Sequence, residues 1–135
     1  NSHFFPSLIN KIHKIKLLKK SKLKLWGNGL AKREVIFVDD IADACIYFMN
    51  KSMKETLINI GTGKDYSIKF YAKLLLQLIY PEKKVTIIYD KSKPNGTPRK
   101  VLSISLAKKY GWYPKHDLKT SIINTYQSFL NNNLI

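Results

Sequence analysis

"SIKFYAKLLLQLIYPEKKVTIIYD", Ser67 to Asp90, holds a helix, a stop and a strand in one run. Ser67 opens a helix over "IKFYAKLLLQLIY" by offering its hydroxyl to the first free backbone N–H groups. Pro81 ends it, because the residue before a proline is driven away from helical angles. "KVTIIYD" is then rich in β-branched residues and reads as a strand. A helix delivered straight into an apolar strand is the unit of an α/β fold.

The same alternation extends outward. "FFPSLINKIHKIKLL" places Phe5, Leu8, Ile9, Ile12, Ile15 and Leu18 near the helical period, predicting a helix over about 6–20 with Pro6 tolerated in its first turn. "KLKLW" alternates and predicts a short strand ending at Gly27, with "WGNGLAKR" a turn. "EVIFV" predicts a second strand, and Asp39 or Asp40 a cap for a helix through "DIADACIYFMNK". "TLINIG" predicts a strand broken by Gly61 and Gly63. "SLAKKYG" is a short helix ending at Gly111, "LKTSIINTYQSFLNN" a last helix, and "NNNLI" a frayed end. The class is α/β, in a single domain over 1–135. A start at Asn1, with an apolar helix within four residues, reads as a piece of something longer.

Composition excludes several classes. At 44% hydrophobic and 12% aromatic the chain is far from disordered composition. No run approaches the ~18 apolar residues of a membrane span. The single cysteine, Cys45, excludes an intramolecular disulfide framework and a cysteine-cluster zinc site, and makes a reducing cytoplasm the simplest compartment. The net charge of +15 invites a polyanion, yet Arg33 and Arg99 are the only arginines. Arginine's planar fork is the usual reader of bases and phosphates. Lysine scattered over every segment looks instead like solvated surface, which counts against nucleic acid and makes the two arginines the informative cations.

Candidate chemistry is sparse. "GNG" at 27–29 and "GTG" at 61–63 lack the third glycine of a dinucleotide fingerprint, so no Rossmann-type nucleotide cradle is present. Tyr47/Lys51, Tyr80/Lys84 and Tyr89/Lys93 each have the Tyr-x-x-x-Lys spacing of reductases, but only the first is helical and no nucleotide loop accompanies it. His3, His13 and His116 share no metal-ligand spacing. His3, just before the first helix, is a candidate general acid. Cys45 reads as a small core side chain. "SKPNGTPRK", Ser92 to Lys100, is a stiff turn ending in Arg99-Lys100, equally a basic surface turn and an anion clamp.

In order along the chain, "NSHFFPSLINKIH", "WGNGLAKREVIFVDDIADA", "INIGTG" and "SKPNGTPRKVLSIS…YGWYP" resemble the GDP-L-fucose synthase family. These are extended short-chain dehydrogenases that epimerise and then reduce GDP-4-keto-6-deoxy-mannose with NADPH. The resemblance implies the C-terminal substrate-binding part of that Rossmann-like fold, with the N-terminal nucleotide-binding part absent. It implies NADP(H) in the full-length enzyme and no cofactor held by this chain alone. His3 matches the family's acid, which also lies beside the nicotinamide. Lys11, Trp26, Arg33, Asn95 and Lys100 match positions lining the GDP-sugar site. Lys11 stands where the family usually has arginine; Asn95 and Ser103 stand where it has aspartate. The first two changes fall in the implied pocket and leave open a related 4-keto-6-deoxy sugar, such as a heptose. The partners implied are a GDP-sugar and the nucleotide-binding part, with pairing of two copies through exposed core surface as an alternative. A basic nucleic-acid-binding module is the other alternative.

Overall fold

The computed structural model describes residues 3–132. In chain order the elements are α1 (Phe4–Leu17), β1 (Lys22–Trp26), β2 (Lys32–Arg33), α2 (Val38–Met49), β3 (Tyr66–Ser67), α3 (Ile68–Ile79), β4 (Thr86–Asp90), β5 (Arg99–Lys100), α4 (Ser105–Lys109) and α5 (Leu118–Asn132). They form two compact units: residues up to Lys32 with Tyr66–Pro98, and Arg33–Asp65 with the residues from Arg99 onward.

The first unit is built on β1 and β4, which pair in parallel from Lys22↔Thr86 to Trp26↔Asp90. α3 lies in the connection between them, as a parallel pair requires. Leu23 and Leu25 are buried, while Lys22, Lys24 and Trp26 between them are exposed. α1 packs on α3 and on β1. It does so through Leu8, Ile9, Ile12 and Ile15, against a core that includes Tyr71, Ala72, Leu75 and Ile79. Fully burying one such aliphatic side chain contributes roughly 1.5–3 kcal/mol.

Helix ends follow local chemistry. α1 starts two residues earlier than its period predicts, because Pro6 lacks only an N–H that the first turn leaves unbonded anyway. It closes where Lys19 takes φ 50° and the Lys20 N–H reaches back to the Ile15 carbonyl at 2.8 Å. At α3, Ser67 Oγ accepts the Phe70 N–H at 3.1 Å, and the helix ends before Pro81 as expected.

The second unit gathers α2, α4 and α5. Ala44, Ala107 and Trp112 are its buried cluster, with Ile36, Tyr47, Phe48, Ile58 and Ile60 packed against it. The Asp117 carboxylate caps α5, accepting the Thr120 N–H at 3.0 Å and its hydroxyl at 2.6 Å.

Several expectations fail here. "EVIFV" is not a strand: β2 stops at Arg33 and α2 begins at Val38. "TLINIG" forms no strand either. Just beyond them, the Glu34 carboxylate accepts the N–H groups of Thr62 (2.6 Å), Gly63 (2.6 Å) and Leu102 (2.8 Å), joining three segments through a side chain. Neither Asp39 nor Asp40 caps α2; Phe37 is the N-cap and the aspartates lie in the first turn, where negative charge suits the helix dipole. Asp40 is buried and accepts from the Lys115 N–H (3.0 Å), the His116 N–H (3.3 Å) and faces His116 Nδ1 (2.8 Å). Cys45 is exposed rather than core, because Asp40 and Ala44 are α2's buried positions and Cys45 points away from them.

Candidate functional site

β1 ends at Trp26 and the chain turns through Gly27, Asn28 and Gly29. The turn is tied on two sides. The Gly27 N–H donates to the Asp90 carbonyl at 2.9 Å, and the Asn28 N–H donates to Asn95 Oδ1 at 2.7 Å. Asn28 Oδ1 in turn accepts the Leu30 N–H at 3.0 Å. Gly27 takes φ +68°, and a Cβ on it would stand 2.5 Å from Asn95 Oδ1, so only glycine lets the two segments approach this closely.

This scaffold leaves the Trp26 indole 62% exposed. Lys11 Nζ, from α1, lies 5.6 Å from its ring centroid, and Lys93 Nζ, from the loop after β4, lies 5.8 Å from it. Both distances fall within the range of cation–π attraction. An exposed aromatic face bordered by two ammonium groups can stack a base or sugar and neutralise a phosphate.

Asp90 anchors the start of that loop. It accepts the Ser92 hydroxyl at 2.6 Å and pairs with Lys24 at 2.9 Å. The Ser92 hydrogen bond, and then the Lys24 ammonium, hold its carboxyl down at about 2. It stays charged near neutrality, and its main-chain carbonyl accepts the Lys93 N–H at 3.2 Å.

The first unit therefore brings together Lys11, Trp26 and Asn95, and adds Lys93, which carries no role in the sequence reading. His3 sits at the N-cap of α1, exposed, and its carbonyl accepts the Ser7 N–H at 3.1 Å. It lies eight residues before Lys11, about 12 Å along a helix axis. Arg33, half-buried at the end of β2, and Lys100, exposed in β5, belong to the second unit.

The second unit changes the reading of the "SKPNGTPRK" end. Arg99 forks onto Asp65, Nε to Oδ2 at 2.6 Å and Nη2 to Oδ1 at 3.1 Å, and this bond raises its pKa further. Two of its N–H donors are held by Asp65, while the side chain stays largely exposed beside Lys100. In the same unit the Glu34 carboxylate fills the "GTG" turn, occupying the N–H groups that would cradle a phosphate. At Tyr47 and Lys51 the ammonium does reach the hydroxyl, at 3.3 Å, but that hydroxyl donates to the Tyr110 carbonyl at 2.7 Å. Among the described residues no group of His, Cys, Asp or Glu is placed to hold a metal ion, and no helix is long and apolar enough to cross a membrane.

Residues 1–61 match the model of the NAD dependent epimerase/dehydratase family. Over 132 residues the chain is 40% identical to the GDP-L-colitose synthase of Yersinia pseudotuberculosis, covering 97% of this chain and 42% of that protein. It is 36% identical to the probable GDP-L-fucose synthase 1 of Oryza sativa subsp. japonica, covering 98% of this chain and 40% of that one. Among solved structures it resembles the GDP-mannoheptose C4 reductase of Campylobacter jejuni with NADP bound, at TM-score 0.82 and 31% identity over 96% of this chain and 45% of that one. The chain thus spans about two fifths of the length of the curated relatives it matches.

Proposed function

We propose that this chain, whose residues 1–61 match the NAD dependent epimerase/dehydratase family, is the GDP-sugar-binding part of an NADP-dependent epimerase-reductase acting on a 4-keto-6-deoxy sugar. The observation that carries the proposal is the exposed Trp26 indole with Lys11 and Lys93 within 6 Å of its ring. Trp26 supplies a stacking face and the two lysines supply charge for the diphosphate. The family resemblance implies GDP-sugar contacts for Arg33 and Lys100 in the second unit, and for His3 the role of the acid in epimerisation. Asn95 spends its carbonyl oxygen on the Asn28 N–H, which leaves its amide N–H groups for a sugar hydroxyl.

GDP-4-keto-6-deoxy-mannose, leading to GDP-L-fucose, is the substrate most in keeping with the relatives' names. A heptose analogue is the second reading, favoured by the neutral Asn95 amide and by similarity to the GDP-mannoheptose reductase. On this reading NADPH is bound by the full-length enzyme, and the chain alone turns over no substrate; Glu34 fills the one described turn, "GTG", that resembles a phosphate cradle. The test is calorimetric titration with GDP and with uncharged guanosine. Lys11→Ala and Lys93→Ala each weaken GDP binding by about tenfold, the value of one charge-assisted contact, and leave guanosine unaffected. Equal losses for both ligands, or NADPH oxidation by the chain alone, contradict the reading.

A further inference from the structure

The first unit carries a cleft of about 520 Å³ between α3 and β4, within the size range of clefts that take small molecules. One wall is a stripe of α3 bearing Lys69, Lys73, Leu76 and Tyr80, whose helical spacing puts them on one face. The other wall is one face of β4, where Val85, Ile87 and Tyr89 alternate with residues that point away. Leu25↔Tyr89 and Trp26↔Asp90 are successive positions in the β1–β4 register, so Trp26 falls on the opposite face of the strand pair. The cleft is therefore separate from the candidate site around Trp26.

Its chemistry is two-sided. Leu76, Val85 and Ile87 are half-buried and Tyr80 is buried, which gives an apolar floor. Lys69, Lys73 and Lys83 are exposed at its edge, and among the described residues no carboxylate lines it. Lys69 and Lys73 form no ion pair among the described residues, and Lys83 gives one of its three donors to the Lys19 carbonyl. The Tyr89 hydroxyl is buried with no hydrogen-bond partner among the described residues, and a buried polar group left so needs a physical reason. Burial raises its pKa, so it stays protonated and able to donate. Gly29 seats the Tyr89 ring, since a Cβ there would stand 2.6 Å from Tyr89 Cε1. We propose that the α3–β4 cleft binds a small amphipathic anion, its apolar body on the Leu76, Val85 and Ile87 floor and its phosphate or carboxylate between the lysines, with the Tyr89 hydroxyl donating to it. This is a second ligand site, and it does not depend on the GDP-sugar reading.

The experiment titrates the 15N-labelled 135-residue chain with hexyl phosphate, hexanoate, hexanol and inorganic phosphate at constant ionic strength. The expected result is saturable binding of hexyl phosphate or hexanoate, moving the Lys73, Ile87 and Tyr89 amide resonances and leaving the Trp26 indole in place. Hexanol and inorganic phosphate each bind at least about tenfold more weakly, because each supplies only half of the contacts. The tighter of the two anions identifies the headgroup as phosphate or carboxylate. Lys73→Ala weakens that anion by about tenfold and leaves hexanol unchanged, the value of one charge-assisted contact. Tyr89→Phe weakens it by at least about threefold, as for one neutral hydrogen bond. Lys22→Ala, at an exposed lysine on the opposite face of the strand pair, changes nothing. Circular dichroism checks that each variant folds; Lys73 is exposed on a helix and Tyr89→Phe keeps the ring. Inorganic phosphate binding as well as hexyl phosphate, equal losses in Lys73→Ala and Lys22→Ala, or undiminished binding in Tyr89→Phe would each overturn the proposal. So would anion-induced shifts centred on Trp26 instead of the cleft.

Discussion

Gly27 and Asn95 hold the candidate site together through a contact that tolerates no added atom, and substitutions there separate shape from hydrogen bonding. Gly27→Ala imposes a left-handed alanine and a clash with Asn95 Oδ1, and costs about 1–2 kcal/mol in urea unfolding. Asn95→Ala removes the acceptor of the Asn28 N–H and costs about 0.5–1.5 kcal/mol, whereas Asn95→Asp keeps an acceptor and costs less. If both Asn95 variants unfold at the same urea concentration, the bond does not anchor the turn. Asp90 gives a pH signature. Its folded pKa of about 2 lies below the ordinary carboxyl value of 3.8, so its contribution is present above pH 4 and is lost as pH falls towards 2. Acid unfolding followed by circular dichroism is therefore shallower between pH 4 and 2 in Asp90→Asn than in the parent. At this scale the sequence pointed to Lys11, Trp26 and Asn95 through resemblance alone. Lys93 was missed because a lysine in a basic loop looks like every other lysine until its ammonium is seen over a ring.

α3 shows what an element owes to local signals. Ser67→Ala removes the side-chain cap and lowers stability by about 1 kcal/mol, and Leu75→Ala, at a fully buried position, lowers it by about 2–5 kcal/mol, both measurable by chemical denaturation. A Leu75→Ala effect below that of Ser67→Ala would remove α3 from the core. α1, α3, α5 and β4 were all legible because their caps, stops and periods lie within the element itself. "EVIFV" and "TLINIG" read as strands and form none, and the bonds from Glu34 to the distant Thr62, Gly63 and Leu102 N–H groups carry no local signal. Asp40 was read as a cap for the same reason: its partners, Lys115 and His116, lie 75 and 76 residues away. The pairing of Arg99 with Asp65, 34 residues away, was equally hidden from the local pattern. Short-range order could be read from the chain, and the carboxylates that bridge distant segments could not.

For the whole molecule, the charge of +15 and the family resemblance point to different anions. A nucleic-acid module would bind DNA of any sequence with affinity falling steeply as salt rises, since each neutralised phosphate releases counterions. A GDP-sugar site binds one small diphosphate at one aromatic face. The two tryptophans make the distinction direct, because Trp26 is 62% exposed while Trp112 is 2% exposed, with its indole N–H bonded to Asp43 at 3.0 Å. The decisive measurement is a GDP titration of the 15N-labelled chain into the millimolar range, following both indole resonances. A saturable shift at Trp26, no shift at Trp112 and loss of binding in Trp26→Ala is the predicted result. An unmoved Trp26 resonance at saturating millimolar GDP, or one that moves only with DNA, contradicts it.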